Sequence, residues 1–294
     1  MTIPTSDRPQ DLPGLRRIVA PNPSALTGEG TNTWLLGTKD VAVIDPGPML
    51  PAHLDAILGT LGPDERISHI LVTHAHRDHS PLARPLAQAT GAPVLAFGDA
   101  QAGRNPDFDR LSGLGASEGV DHDFAPDICL PDGAVVSAAD WALEVIHTPG
   151  HLGNHICLRM GDTVFSGDHV MGWATSIVSP PDGDMGAYMA SLHRLAAIGA
   201  RRMLPGHGAP VENAPARVAE LIAHREGREA AILAQLASGT GLPSEITARV
   251  YAGLPAHLLP AAERNVLAHL LDLHARSRVI TDAVPTLTSR FALA

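Results

Sequence analysis

The stretch "LVTHAHRDHS", residues 71–80, places His74, His76, Asp78 and His79 directly after the apolar run Ile70-Leu71-Val72. Three later groups follow the same pattern. His151 closes "HTPGH", Asp168 stands in "FSGDH", and His207 closes "LPGH". Each lies just past an apolar segment, where a strand end presents side chains into a cleft. Two carry a Pro-Gly turn, which lets the backbone swing the histidine inward. Imidazole and carboxylate bind zinc, iron or manganese without any thiolate. Seven such residues exceed the needs of one tetrahedral ion. They suit two ions sharing a carboxylate and a hydroxide, each with room for substrate. Any one of the 16 histidines is better explained by a solvated or core role. Four ordered groups together favour metal.

Short apolar runs and short helical patterns position these residues. "TNTWLLG" and "VAVIDPG" read as strands joined by a turn at Thr38-Lys39-Asp40. "PAHLDAILGTLG" reads as a helix, with Pro51 in its first turn and Gly62 as a stop. "ISHILVTH" is a buried strand, "SPLARPLAQATG" a short helix interrupted by Pro85 and ending at Gly91, and "PVLAF" another strand. Residues 99–133 show no period, and so long a loop is functional or mobile. "ALEVIHTPGH", "HICLRMG" and "TVFSGDHV" are strands, and "RRMLPGHG" a strand and loop. Between them, Met185, Tyr188, Met189, Leu192 and Leu195 share a helix face.

The texture changes near residue 210. Val218, Leu221, Ile222, Ile232, Leu233 and Leu236 fit one face of a long helix, which "GTGLP" breaks. "SEITARVYAGL", with Ser244 as N-cap, and "PAAERNVLAHLLDLHARSRV" read as two more helices. The expected division is a metal domain over 1–210 and a helical domain over 211–294.

The 294 residues are 45% hydrophobic and 18% charged, which marks a globular chain. No apolar run approaches the roughly 20 residues that cross a bilayer. "MTIPTSDRPQ" has no basic stretch followed by an apolar core, and Cys129 and Cys157 make neither a disulfide framework nor a thiolate zinc motif. A cytoplasmic location is expected, with no membrane partner. Net charge is −10, all of it in residues 1–210, because residues 211–294 hold eight Arg against eight Asp or Glu. No basic stripe of the kind a dedicated nucleic-acid binder carries is present.

These residues are recognisable. Asp45, "THAHRDH", His151, Asp168 and His207 resemble the five ordered motifs of the metallo-β-lactamase superfamily, and the likeness covers residues 15–210. "GTNTWLLG", "HREGREAAIL" and the C-terminal helices resemble the beta-lactamase-like protein two branch, with its small winged-helix-like domain. The resemblance implies an α/β fold: a four-layered αβ/βα sandwich with two metal ions between its sheets, followed by that helical domain. It implies that His74, His76 and His151 hold the first metal, that Asp78, His79 and His207 hold the second, and that Asp168 bridges both. Asp45, otherwise a turn residue in "DPG", would orient the ligand loop. Some members of the branch cleave single-stranded RNA. This chain departs from them electrostatically, with no Lys after Lys39.

A bridging hydroxide is nucleophilic near neutral pH and attacks a carbonyl or phosphorus. Asp78 is placed to orient it as well as to bind metal. His169, beside the bridging aspartate, is a candidate for protonating the leaving group, or else a strand-end histidine. Trp173 and the loop 179–185 are candidate pocket walls, or else connection and core. Three functions are carried: a dinuclear hydrolase of a small ester, thioester or lactone; a phosphodiesterase or endoribonuclease acting on single-stranded RNA; and a binding module without chemistry, against which the complete ligand set argues. A small-molecule substrate is expected ahead of RNA. The apolar faces of the C-terminal helices need a partner surface, either the rim of the metal domain or a second copy in a homodimer.

Overall fold

The computed structural model describes residues 12–111, 119–282 and 284–294. One sheet has six strands in the order β1 (Arg16–Val19), β2 (Asn32–Leu36), β3 (Asp40–Ile44), β4 (Arg66–Leu71), β5 (Val94–Ala96) and β6 (Ile128–Cys129). The other runs β7 (Val135–Ser137), β8 (Ala142–His147), β9 (Ile156–Met160), β10 (Thr163–Gly167) and β11 (Arg202–Pro205). A strand between two layers must be apolar on both faces, and β3 shows how this is met. Val41 and Val43 pack outward with Ile57 of α1 (Pro51–Gly59) and Leu86 of α2 (Ala83–Thr90). Ala42 and Ile44 alternate to the inner side, where Leu143, Val145, Leu158 and Phe165 of the second sheet meet them. On the far side, α3 (Met185–Ile198) and the first half of α4 (Ala214–Leu236) cover the second sheet. The layers are therefore helix, sheet, sheet, helix.

The C-terminal helices are α4, α5 (Pro243–Val250) and α6 (Leu259–Ala275), followed by a two-stranded ribbon, β12 (Val279–Ile280) with β13 (Ala292–Leu293). Ile232 and Leu236 of α4 join Ile246, Val266, Leu270 and Phe291 in a separate core. Val218 and Leu221, near the start of the same helix, lie in the core of α3 and the second sheet. One helix thus roots in two cores.

Two local expectations give way. Pro85 does not interrupt α2. It sits in the first turn, after Ala83 and Arg84, where a backbone N–H has no intrahelical partner to lose. Ser244 is not the N-cap of α5. That helix begins at Pro243 with Leu242 as N-cap, and the Glu245 carboxylate accepts the Leu242 N–H at 3.0 Å. Within residues 99–133 the structure places a 3-10 turn at Pro106–Arg110 and the edge strand β6, and residues 112–118 lie outside the described residues. Among the described residues no helix is long and apolar enough to cross a membrane.

The ordering of strands creates one functional edge. β3 and β4 run parallel; β8 and β10 both run opposite to β9, and β11 runs parallel to β10. The loops leaving β4, β8, β10 and β11 therefore emerge on the same side. There the two sheets are stitched together, with Asn32 N–H donating to the Gly206 carbonyl at 2.7 Å.

Candidate metal centre

Asp45 follows β3 with a positive φ of 53°, a left-handed conformation that a short polar side chain tolerates. It is buried, and its carboxylate accepts three hydrogen bonds: from Thr73 N–H at 2.7 Å, Thr73 Oγ1 at 2.8 Å and His79 Nδ1 at 3.0 Å. The histidine-rich loop after β4 is thereby lashed to the end of β3.

These contacts also fix which histidine nitrogens carry protons. The Thr73 hydroxyl spends its hydrogen on Asp45, so at 2.9 Å it accepts from His74 Nδ1–H. His79 Nδ1–H points at the Asp45 carboxylate. His151 Nδ1–H donates to the Ile177 carbonyl at 2.6 Å, and His207 Nδ1–H to the Gly30 carbonyl at 3.1 Å. In each neutral ring the remaining Nε2 is then a bare lone pair.

Those Nε2 atoms converge. His76 Nδ1 lies 3.0 Å from both His74 Nε2 and His151 Nε2. On the other side, His207 Nε2 lies 3.3 Å from His79 Nε2 and 3.2 Å from Asp78 Oδ2, and His79 Nε2 lies 3.4 Å from the same oxygen. Asp168 stands between the two groups. Its Oδ2 is 3.8 Å from His151 Nε2, 4.0 Å from His74 Nε2 and 3.3 Å from His207 Nε2, while Oδ1 is 3.5 Å from His79 Nε2. His74 with His76 and His151, and Asp78 with His79 and His207, each form a cluster whose ligand atoms lie within 4.8 Å of one another, and so do His74, His79 and Asp168. All seven expected ligands are brought to one place. The close approach needs Gly206 before His207, because a Cβ there would sit 2.4 Å from Asp168 Oδ1 and 2.6 Å from His79 Cε1.

The electrostatics call for positive charge. Burial opposes protonation of His207, yet Asp168 and Asp78 lift it to about 10. Burial likewise opposes charge on His79, but Asp78, Asp168 and Asp45 together raise it well above the usual histidine value. Burial pushes the Asp78 carboxyl up, and His79 and His207 outweigh it, holding the group well below the usual carboxylate range. His76, surrounded by imidazoles, is pressed down to about 3, first by burial and then by His151.

His169 is not brought to this cleft. It is fully buried, its ring packs on Tyr188 with centroids 4.5 Å apart, and burial lowers it to about 3. A neutral, enclosed ring lacks the imidazolium proton that a general acid would give near neutral pH. Asp78 does face the cleft, and Trp173 and Ser179 line the same cavity. Several residues here carry no signature in the motifs. Thr31 Oγ1 donates to Asp78 Oδ2 at 3.2 Å, and His155 Nε2 accepts Asp168 N–H at 3.2 Å. The Gly30 and Ile177 partners are backbone carbonyls, which no side-chain pattern reveals. Asp45, and Thr73 adjacent to His74, are the supporting residues within reach of sequence.

Comparison with known proteins agrees with the geometry. The family model described as metallo-beta-lactamase superfamily matches residues 26–207, and that described as beta-lactamase associated winged helix domain matches residues 243–284. The chain is 31% identical over 283 residues to "Beta-lactamase-like protein 2 homolog" of Drosophila melanogaster, covering 90% of this chain and 88% of that one. It is 33% identical to "Lactamase-like protein nscB" of Arthroderma benhamiae over 90% of its own length, and it spans 58% of that longer relative. A metallo-beta-lactamase family protein of Thermus thermophilus superposes with a TM-score of 0.74 at 24% identity, over 96% of this chain and 99% of the other. With a four-layered sandwich, a His/Asp centre at one sheet edge and helices to follow, the chain belongs to the metallo-beta-lactamase superfamily and carries a beta-lactamase-associated winged helix domain.

Proposed function

We propose that the protein is a dinuclear metal-dependent hydrolase of a small ester, thioester or lactone. The observation that carries this is the convergence of five imidazoles and two carboxylates, in groups whose ligand atoms lie within 4.8 Å of one another, at the wall of a cavity of about 740 Å³. Nitrogen and oxygen ligand atoms gathered this closely suit cations among them, so the residues present fit a pair of divalent ions. His74, His76 and His151 would hold one, Asp78, His79 and His207 the other, and Asp168 would reach both. Zinc suits this nitrogen and oxygen set, and iron and manganese are also compatible with it.

Two divalent ions there would supply a water acidic enough to act as nucleophile near neutral pH and would take up negative charge developing on the substrate. The chain does the positioning. Asp78, partly exposed in the cleft and held by Thr31, is placed to accept a proton from a water in front of it. Leu26, Met171, Trp173, Ile177 and Leu258 give the cavity an apolar wall that shelters the scissile group from solvent and grips an apolar substrate body.

A second reading, cleavage of single-stranded RNA, draws support from the winged helix match. The charge distribution weighs against it. The chain has one lysine and a net charge of −10, and the cavity is lined by one arginine, Arg264. RNA affinity rests on phosphate neutralisation. The test is a screen of metal-replete protein against thioesters, esters, lactones, phosphodiesters and single-stranded RNA, with RNA affinity measured across a salt series. Turnover of an acyl substrate is expected. Turnover confined to RNA, with tight and steeply salt-dependent binding, would give first place to the ribonuclease.

A further inference from the structure

Arg225, on α4, is 2% exposed, yet its guanidinium forms none of the ion pairs found among the described residues. Burying such a charge is costly unless its donors are used. One amine group donates to the Ser176 carbonyl, and the other to Asn265 Oδ1 on α6 at 3.2 Å. The plane lies against the Tyr188 ring of α3, 5.2 Å from its centroid. Its titratable neighbour His269 is held down to about 3, by burial and then by Arg225 itself. The charge therefore acts on one backbone carbonyl, one side-chain amide and one aromatic ring, and not on an acid.

The bonded backbone leads to the metal centre. The Ser176 hydroxyl donates to the carbonyl of Asp168 and, at 3.0 Å, to that of His169. The next residue, Ile177, offers the carbonyl that takes His151 Nδ1–H at 2.6 Å. The next again, Val178, donates its N–H to Asn265 Oδ1 at 3.3 Å. Three consecutive residues thus touch two expected metal ligands on one side, and Arg225 and Asn265 of the C-terminal helices on the other.

We infer that Arg225 is a positioning residue: with Asn265 it holds residues 176–178 so that Asp168 and His151 present their ligand atoms to the metal centre. Specifically, the anchored Ile177 carbonyl keeps the His151 proton on Nδ1 and leaves Nε2 free, while Ser176 fixes the peptide that carries Asp168. Removing the group hydrogen-bonded to a metal ligand typically lowers metal affinity about 10–100-fold, and Arg225 holds the backbone that carries such a group, the Ile177 carbonyl.

This inference rests on the metal assignment above, and cobalt(II) separates the two. The full-length chain, stripped of metal, is titrated with cobalt and followed by its visible absorption and by thermal melting. Wild type, Arg225→Met, Arg225→Lys, Ser176→Ala and Arg228→Ala are compared. Arg228 lies one turn along the same helix and stacks on Tyr251, 4.3 Å from its ring, away from the centre. Arg225→Met is expected to bind cobalt about 10–100-fold more weakly with a changed spectrum, and Arg225→Lys to recover part of the loss. Should Arg225→Met fail to fold, Ser176→Ala, which deletes one hydroxyl, is expected to change the spectrum in the same direction. Arg228→Ala is expected to lower the melting temperature and leave the spectrum alone. Wild-type cobalt uptake with an unaltered spectrum and affinity in both Arg225→Met and Ser176→Ala would overturn the inference alone. So would an Arg228→Ala spectrum altered as much as theirs. A wild type that takes up no cobalt would overturn the metal assignment and this inference with it.

Discussion

Asp168 is the side chain that both halves of the centre share, with one oxygen toward His151, His74 and His207 and the other toward His79. Asp168→Ala should therefore lose more turnover and more metal than alanine at any other single ligand, checked by elemental analysis beside kinetics. Retention of two equivalents and near-normal turnover would contradict it. A second expectation concerns protons. The raised values of His79 and His207 keep both rings charged near neutral pH in the metal-free chain. For His207 this proton favours the fold fully below its ordinary value of 6.5, and the contribution fades as pH climbs toward about 10. A cation must displace it. Metal uptake near neutral pH should release on the order of two protons per chain, read by calorimetry in buffers of different ionisation enthalpy; release of none would contradict the assignment. The seven ligand-type side chains were legible because each is a polar residue in an apolar setting. Asp45, which holds His79, was legible as well, but the partners of His207 and His151 were not, since Gly30 and Ile177 contribute only carbonyls. His169 stands beside Asp168 in sequence, but in the turn after β10 its ring goes into the core beside Tyr188.

Turns and caps carry the element scale. Gly206 lets β11 bring His207 against Asp168, and the methyl of Gly206→Ala would land 2.4 Å from a carboxylate oxygen. This variant should lose metal affinity with a smaller loss of thermal stability, as a chelator competition beside a melt would show. The sandwich strands were readable from their apolar runs, and α3 from its single apolar face; the structure adds Asp184 as its cap, the side chain accepting Ala187 N–H at 3.0 Å. The start of α5 was less so. Ser244 is the usual capping residue type, yet Pro243 can occupy the first helical position, and Glu245 reaches back to do the capping. Ser244→Ala should therefore shift stability by less than ~0.5 kcal/mol, where loss of a true N-cap side chain costs about 1 kcal/mol; a chemical denaturation curve decides. The strands β1 and β7 escaped notice because they are short edge strands with exposed residues, and so lack an apolar run.

At the scale of the molecule, the change of texture near residue 210 marks a change of architecture but not a place to cut. Val218 and Leu221 fill the core beneath the second sheet, and Ala268 of α6 joins them there. Removing everything after residue 210 would expose that surface and delete Arg225 and Asn265. The truncated chain should be insoluble or molten, seen as lost near-ultraviolet dichroism, and the intact chain should melt in one calorimetric transition. Two well-separated transitions, or a soluble and ordered truncation, would contradict this. The sharing of α4 also constrains how such a chain can diverge. A helical region that hangs by a linker can be traded between genes as a cassette, and this one cannot, because its inner face is already part of the sandwich core. The wall formed by Leu258, Pro260 and Ala261 is different: it stands at the partly exposed start of α6 and faces the cavity. Natural variation in what the cavity accepts should accumulate at that short rim, while α4 changes only in step with the residues beneath it.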